Sequence, residues 1–388
     1  MRRYVFYISN ARHHWEVVSR VSSEIAARGG CSVIVSLCEH RGERTPESIN
    51  STVPIVQVLD KSPQLKRNVA LKTRATGRVR PILQWWHWHL TLRPKLANKV
   101  ELLADDVAII PNDLAYPFDK IVSDLNKRSQ TWVLYQEGIL FPLPASSLRP
   151  YGAGGASAIA AWGRYSKRYF VETAKDGEET VLLTGSPRHD EFKASVTESE
   201  VAEIRRRVPA HHKLIMFFGT TVDKPGGHCS TEEKMMSIEG LLRSLECAST
   251  SCEFTFWCKP HAGENIDLYN ELLCRSSIAS NIILDRNINT RAAVAASDAI
   301  IINGSSVGLE ALLFKARVGV IPVPNTGFPF DYGESEVYVK IREGDGANDI
   351  LQLLSSSPDE EDIEKYLECH FSNIESATSE FADMLERV

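Results

Sequence analysis

The sequence predicts an α/β protein built from two parallel-sheet halves, and three observations carry that prediction. Asp298 to Pro324 reads as a complete strand, turn, helix and strand. Within it Ala299 to Ile302 is apolar and mostly β-branched, as in a strand buried on both faces. Asn303-Gly304-Ser305-Ser306 is turn chemistry ending in residues that cap helices. Leu309, Leu312 and Leu313 then repeat at helical spacing before the run Val318 to Val323. The chain opens in the same way, with a strand at Tyr4 to Ile8, a helix to about Ala27 and a second strand at Cys31 to Leu37. A new strand at Leu214 to Phe218, running into Gly219-Thr220-Thr221, starts the layout again. At 388 residues the chain also exceeds one ordinary domain, and two domains of roughly 150–200 residues are the prior.

In order, the first helix carries the stripe Val17, Val18, Val21 and Ile25 and stops at Gly29-Gly30. The loop before it is not G-x-G-x-x-G, so the dinucleotide fingerprint is absent. It holds His13 and His14 instead, at the carboxyl end of a strand, where open α/β sheets bind ligands. A histidine there is a candidate general base; the plainer role is to cover the helix start. Val53 to Leu59 reads as a third strand. Lys61 to Arg80 contains seven Lys or Arg and leads into Pro81 to Leu90, where three of the seven tryptophans fall within four residues. That pairing fits an interfacial helix on anionic lipid, a sugar-stacking acceptor helix, or aromatic residues packed on the sheet.

Asp106 to Pro111 and Thr131 to Gln136 are strands around a helix at Phe118 to Lys127, and the second ends in Glu137. Pro142 to Gly155 is loop chemistry. Strands follow at Ala158 to Gly163 and from Val181, with a helical segment at Tyr165 to Phe170 between them. The domain boundary falls near residue 195, giving an N-terminal domain of 1–195, a C-terminal domain of 196–358 and terminal helices over 359–388. The second domain holds helices at Ser195 to Val208, Thr231 to Ala248 and Asn289 to Ala296, and strands at Phe254 to Cys258 and Ile282 to Leu284. Asp359 to Val388 reads as one amphipathic helix or a helix pair.

Hydrophobic residues make up 43% and charged residues 24% of the chain, ordinary for a globular protein with a full core. A formal charge of -6 gives no global field to recruit nucleic acid. Eight scattered cysteines, with no C-x-x-C pair or Cys/His ligand set, read as reduced thiols of a cytoplasmic protein. No run of 18 apolar residues predicts a membrane span, so the expectation is a protein at most peripheral on the inner membrane face. At the Asn303 turn, hydroxyls and unpaired helix N–H groups suit an anion, and Glu310, a turn further in, suits ribose hydroxyls. The competing reading is an ordinary crossover whose serines cap a helix.

Three stretches in the second part of the chain resemble the GT-B glycosyltransferase superfamily, over roughly residues 130–325. Thr184-Gly185-Ser186-Pro187-Arg188-His189-Asp190 is similar to the Thr-Gly-Asn-Pro-x-x-Asp stretch of UDP-GlcNAc 2-epimerases and their transferase relatives. Lys259-Pro260-His261 resembles the Lys-Pro-His of CDP-glycerol glycerophosphotransferase-like and capsule-type transferases. Ser305 to Ala311 resembles the nucleotide-sugar segment of both groups. Against the epimerase pattern Gly-His-Arg-x-Glu-Asn, this chain keeps His261, Glu264 and Asn265 but lacks the arginine. Of Ser-Gly-Gly-x-Gln-Glu-Glu it keeps one serine and one glutamate. It has no D-x-D triplet, which disfavours a metal-chelating GT-A enzyme.

The resemblance implies two Rossmann-like domains facing across a cleft, with the C-terminal helices packing back on the first. It implies transfer of a sugar, or polyol phosphate, from a nucleotide-activated donor to a cell-surface glycan or glycolipid, without a metal or a bound cofactor. His13, His14 or Glu137 would be the base. Arg188, Gly219, Thr220, Thr221, Lys259, His261, Ser305, Ser306 and Glu310 would hold the donor. The alternatives are a UDP-GlcNAc 2-epimerase-like enzyme and a non-catalytic nucleotide-sugar-binding protein.

Overall fold

A computed structural model describes residues 2–47, 53–59, 79–140, 149–223, 227–356 and 358–388. Most of the basic run before the tryptophans (61–78), the first half of the Pro142 loop (142–148) and Lys224-Pro225-Gly226 lie outside the described residues. The chain divides into two compact units. Unit 1 comprises Met1–Gly138, Leu148–Asp190 and Cys369–Val388, and unit 2 comprises Ile139–Ser147 and Glu191–Glu368.

Unit 1 runs β1 (Arg3–Ile8), α1 (His13–Ala27), β2 (Cys31–Ser36) and β3 (Ile55–Gln57). Then come α2 (Val79–His87), a π-helical turn (Trp88–Leu92) and α3 (Arg93–Lys99). It continues with β4 (Val107–Ile110), α4 (Phe118–Lys127), β5 (Trp132–Tyr135), β6 (Ala158–Ala161), α5 (Arg164–Glu172) and β7 (Val181–Leu183). The strands form one sheet of order β3-β2-β1-β4-β5-β6-β7, parallel at each pairing. The order reverses between β1 and β4, as in a doubly wound sheet. Side chains show the same winding: Phe6 and Ile8 join the core of α1, while Tyr7 lines a cavity with Ile121 and Leu125 of α4. Alternate residues of a strand face opposite sides, so the two helices cover opposite faces.

Unit 2 begins with α6 (Glu198–Arg206), β8 (Lys213–Phe218), α7 (Thr231–Ala248) and β9 (Phe254–Lys259). Capping boxes fix both helix starts, Thr197 with Glu200 and Ser230 with Glu233. Then follow α8 (Ile266–Leu273), β10 (Ile282–Leu284), α9 (Thr290–Ala296), β11 (Ala299–Ile302), α10 (Val307–Leu312), β12 (Val318–Val320) and β13 (Tyr338–Lys340). The sheet order is β10-β9-β8-β11-β12-β13, again parallel and reversing once, between β8 and β11. All four residues of β11 are fully buried, and each isoleucine there contributes about 1.5–3 kcal/mol.

The chain ends with α11 (Gly346–Ser355), α12 (Glu360–His370) and α13 (Ala377–Arg387), so the amphipathic tail is a helix pair. The sequence reading lacked α8, α11 and β13, which are short elements without a long periodic run. Residues 369–388 belong to unit 1, where Phe381, Ala382, Met384 and Leu385 of α13 complete the core around α1. Two details anchor this return. Asp190 accepts from the backbone N–H groups of Ala377 (3.0 Å) and Thr378 (2.8 Å), satisfying orphan donors at the start of α13. Gly185, at φ +74°, passes so close to the Ser372 carbonyl that a Cβ would overlap it.

This packing makes α13 part of unit 1's core although it lies at the far end of the chain. Phe381→Ala should destabilise the protein by about 3–5 kcal/mol in equilibrium urea unfolding. A loss below about 1 kcal/mol, the size of an ordinary substitution, would show that the helix is peripheral.

Candidate functional site

In an open parallel sheet the strands beside the order reversal send their helices to opposite faces, so the loops at their carboxyl ends part and leave a crevice. In unit 1 those loops follow β1 and β4, with β5 next to them. His14, in the first turn of α1 just after the first of these loops, meets Asn112 and Glu137 from the other two. His14 is buried, and its Nε2 lies 2.8 Å from Glu137 Oε2. Its Nδ1 accepts the backbone N–H of Ser9 at 3.1 Å. Nδ1 therefore presents its lone pair, and Nε2 carries the proton donated to the carboxylate. Asn112 is oriented just as firmly. Its Oδ1 accepts from Leu114 N (2.8 Å) and Ala115 N (2.7 Å), which leaves Nδ2 to donate to Glu137 Oε1 at 2.8 Å.

The Glu137 side chain keeps 36% exposure while both its oxygens are held. Desolvation pushes its carboxyl up, but the hydrogen bonds from His14 and Asn112 and the charge of Arg41 outweigh this and hold it below the ordinary carboxylate value. It is thus an ionised, fixed, partly open carboxylate. His13, by contrast, is exposed at the first position of α1, its backbone N–H capped by Asn10 Oδ1 at 2.9 Å.

In unit 2 the reversal lies between β8 and β11. The loop after β8 carries Gly219, Thr220 and Thr221, the loop after β11 carries Asn303 to Ser306, and β9 beside them ends in Lys259-Pro260-His261. The predicted donor residues of this unit thus share one sheet edge. Ser305 Oγ accepts from Val307 N at 3.3 Å, whereas Ser306, the N-cap, makes no side-chain cap bond, and α10 is a single six-residue helix. Glu310, on that helix, is buried. Gly263 N–H donates to His261 Nδ1 (3.0 Å), so the ring's own N–H is on Nε2.

The sequence reading did not include the network that shapes this edge. Lys234 of α7 is buried and donates to Thr220 O (2.6 Å), Asp223 Oδ1 (3.2 Å) and Glu264 Oε1. Glu264 also accepts from the Tyr269 hydroxyl (2.7 Å) and from His261 N. Burial pulls the Lys234 ammonium below its ordinary pKa, against the opposing charge of Asp223, and pushes the Tyr269 phenol up so that it stays a donor. Gly219 completes the fit, because a Cβ there would overlap Glu264 Oε2. One ammonium thus ties the loop after β8 to the loop after β9. The available signal was a lysine one turn before Ile238 on the apolar stripe that continues through Leu241, Leu242 and Leu245.

Arg188, read from sequence as a phosphate ligand, lies in unit 1. It is buried, and its Nε donates to Glu16 Oε2 of α1 at 3.2 Å. The Thr184 to Asp190 stretch thereby holds α1 through Arg188 and α13 through Asp190.

Removing Lys234 should leave two carboxylates without their buried counter-ion. Lys234→Met should cost about 3–5 kcal/mol in urea unfolding, and adding Glu264→Gln should recover part of it. A neutral Lys234→Met would show that the network carries no stability.

No protein-family model matches the chain, and no curated protein sequence does. Solved structures do match. The UDP-GlcNAc 2-epimerase from Neisseria meningitidis bound to UDP-GlcNAc superposes with a TM-score of 0.62 at 11% identity, covering 100% of both chains. A glycosyltransferase from Rickettsia africae gives 0.57 at 12% identity, covering 100% of this chain and 97% of that one. The wall teichoic acid polymerase TagF gives 0.54 at 15% identity, covering 99% of this chain and 88% of that one. At such identities the likeness is one of fold, and the fold is GT-B.

Proposed function

We propose that the protein is a glycosyltransferase that moves a sugar, or polyol phosphate, from a nucleotide-activated donor to a hydroxyl of a cell-surface glycan or glycolipid. The observation that carries this reading is the Glu137 carboxylate, ionised, held by His14 and Asn112 and open at the carboxyl edge of unit 1. The fold supports a nucleotide-sugar donor, since one structural neighbour holds UDP-GlcNAc and another holds UDP.

In this reading Glu137 takes the proton of the acceptor hydroxyl as the acceptor oxygen bonds to the anomeric carbon. The bond from that carbon to the diphosphate breaks, and the electron pair leaves with the nucleoside diphosphate. With a polyol phosphate donor the acceptor oxygen bonds instead to the polyol-bearing phosphorus, and the pair leaves with the nucleoside monophosphate. His14, with its proton on Nε2, cannot itself take the acceptor proton in this arrangement. It positions the carboxylate and keeps it charged. In unit 2, Ser305, Ser306, Thr220, Thr221 and the Gly219 backbone line the diphosphate. Lys259 and His261 offset its growing charge, and Glu310 faces the ribose. Arg188, engaged with Glu16, is not part of this donor set.

A second reading, epimerisation of UDP-GlcNAc, has one observation in its favour: the epimerases superpose over their full length with higher TM-scores than the TagF polymerase. The missing arginine after His261 counts against it.

Glu137→Gln should lower turnover by about 10²–10⁴-fold and leave nucleotide affinity unchanged. The check is transfer to a glycan acceptor followed by mass spectrometry, with donors first chosen by thermal shift across CDP-, UDP- and GDP-linked compounds. Wild-type turnover in the glutamine variant would refute the base assignment. Glu310→Ala should weaken nucleotide binding by about 1.5–3 kcal/mol in calorimetric titration; an unchanged affinity would remove Glu310 from the donor site.

A further inference from the structure

The helical stretch of unit 1 formed by α2, the π-helical turn and α3 is apolar on more than the side that packs. Trp88 and Leu92 are buried against the unit. Ile82, Leu83, Trp85, Trp86 and Leu90 nevertheless stay in solvent, at 57%, 38%, 52%, 53% and 64% exposure. They make up five of the eight large apolar side chains exposed among the described residues, within nine positions. Ile82, Trp86 and Leu90 recur every fourth residue, the spacing that lines side chains up on one side of a helix. A helix apolar all round is ordinarily covered, and a contiguous exposed patch of this kind marks a contact surface.

Charge identifies what covers it. Ten of the chain's 44 Lys and Arg, and none of its 50 Asp and Glu, lie in residues 61–100. The remainder of the chain is strongly acidic, so the positive charge is concentrated in sequence around the exposed tryptophans. We infer that the face bearing Ile82, Trp85, Trp86 and Leu90 seats in the interface of an anionic lipid bilayer, with indoles at headgroup level and the positive charge of this stretch of sequence favouring anionic lipid. A second copy of the chain fits less well. A two-fold interface apposes the same patch on both copies, and the sequence of this segment has no carboxylate to offset its own cations. A glycan fits less well too, since Gln84 is the one amide or carboxylate side chain in residues 81–92 and sugar hydroxyls need more partners. No helix among the described residues is long and apolar enough to cross a membrane, so the attachment is to the surface. The inference does not rest on the transfer reading, because it concerns other residues of unit 1 and a different ligand.

Vesicle co-sedimentation of the full chain tests it. Vesicles of phosphatidylcholine with about one third phosphatidylglycerol should bind the wild type, pure phosphatidylcholine should bind it at least about tenfold less, and about 0.5 M sodium chloride should release it. Tryptophan emission should shift to the blue on binding. Trp86→Glu with Leu90→Glu should lose at least about tenfold in vesicle affinity, while Trp86→Phe with Leu90→Met retains it. An unchanged thermal unfolding midpoint of the ligand-free protein in both variants shows that the fold is intact. Absence of wild-type binding to the anionic vesicles would overturn the inference. Equal binding by the glutamate variant would do the same. So would a glutamate variant that only converts a dimer to a monomer, which would assign the face to a second copy.

Discussion

Parallel strands cannot be joined by tight hairpins; each must be linked to the next by a crossover over one face of the sheet. A sheet wound in both directions from a central pair therefore has one place where neighbouring strands send their chains to opposite faces, and the loops there part. In unit 1 this place lies between β1 and β4, and in unit 2 between β8 and β11. Much else in the molecule answers to that constraint. It brings His14, Asn112 and Glu137 together from positions far apart in sequence, and it puts Thr220 and Ser305 on one edge. Neither cluster needs a special local motif, because the winding supplies the convergence.

Parted loops lack the sheet's own ladder, so each edge is held by polar groups that fix its geometry. In unit 1 the Ser9 amide sets the His14 tautomer and two amides after Asn112 set its rotamer, so both donors reach Glu137 already oriented. In unit 2 the buried Lys234 ammonium does the equivalent work between the loops after β8 and β9. Burying a charge is costly unless it is paired, and here the pairing partners are the loops themselves. This places stability and site geometry in the same few bonds.

The residues most legible in the sequence were those whose pattern is local. The all-apolar runs Val107 to Ile110 and Ala299 to Ile302, the Asn303 turn and the stripe on α1 each declare their element within a few residues. The end-of-strand positions of His14 and Glu137 could be read for the same reason, but their contact could not, because it depends on sheet order. Lys234 was hidden because nothing in a helix pattern says that one lysine points inward. The Thr184 to Asp190 stretch shows the opposite limit. Its residues resemble a nucleotide-sugar motif, yet Asp190 and Arg188 are engaged with α13 and α1, and the partner helix α13 lies nearly two hundred residues downstream. Short apolar segments such as β13 carry too little periodicity to stand out.

The central claim, that the chain transfers its group to an acceptor and does not isomerise it, meets its most direct test in an experiment with the acceptor left out. The purified protein is incubated with UDP-GlcNAc alone and the sugar is followed by proton NMR. The account predicts that the N-acetylglucosamine configuration persists, whether or not a little UDP is released by water. Steady appearance of N-acetylmannosamine, free or UDP-linked, would contradict it and assign the GT-B fold of this chain to epimerisation.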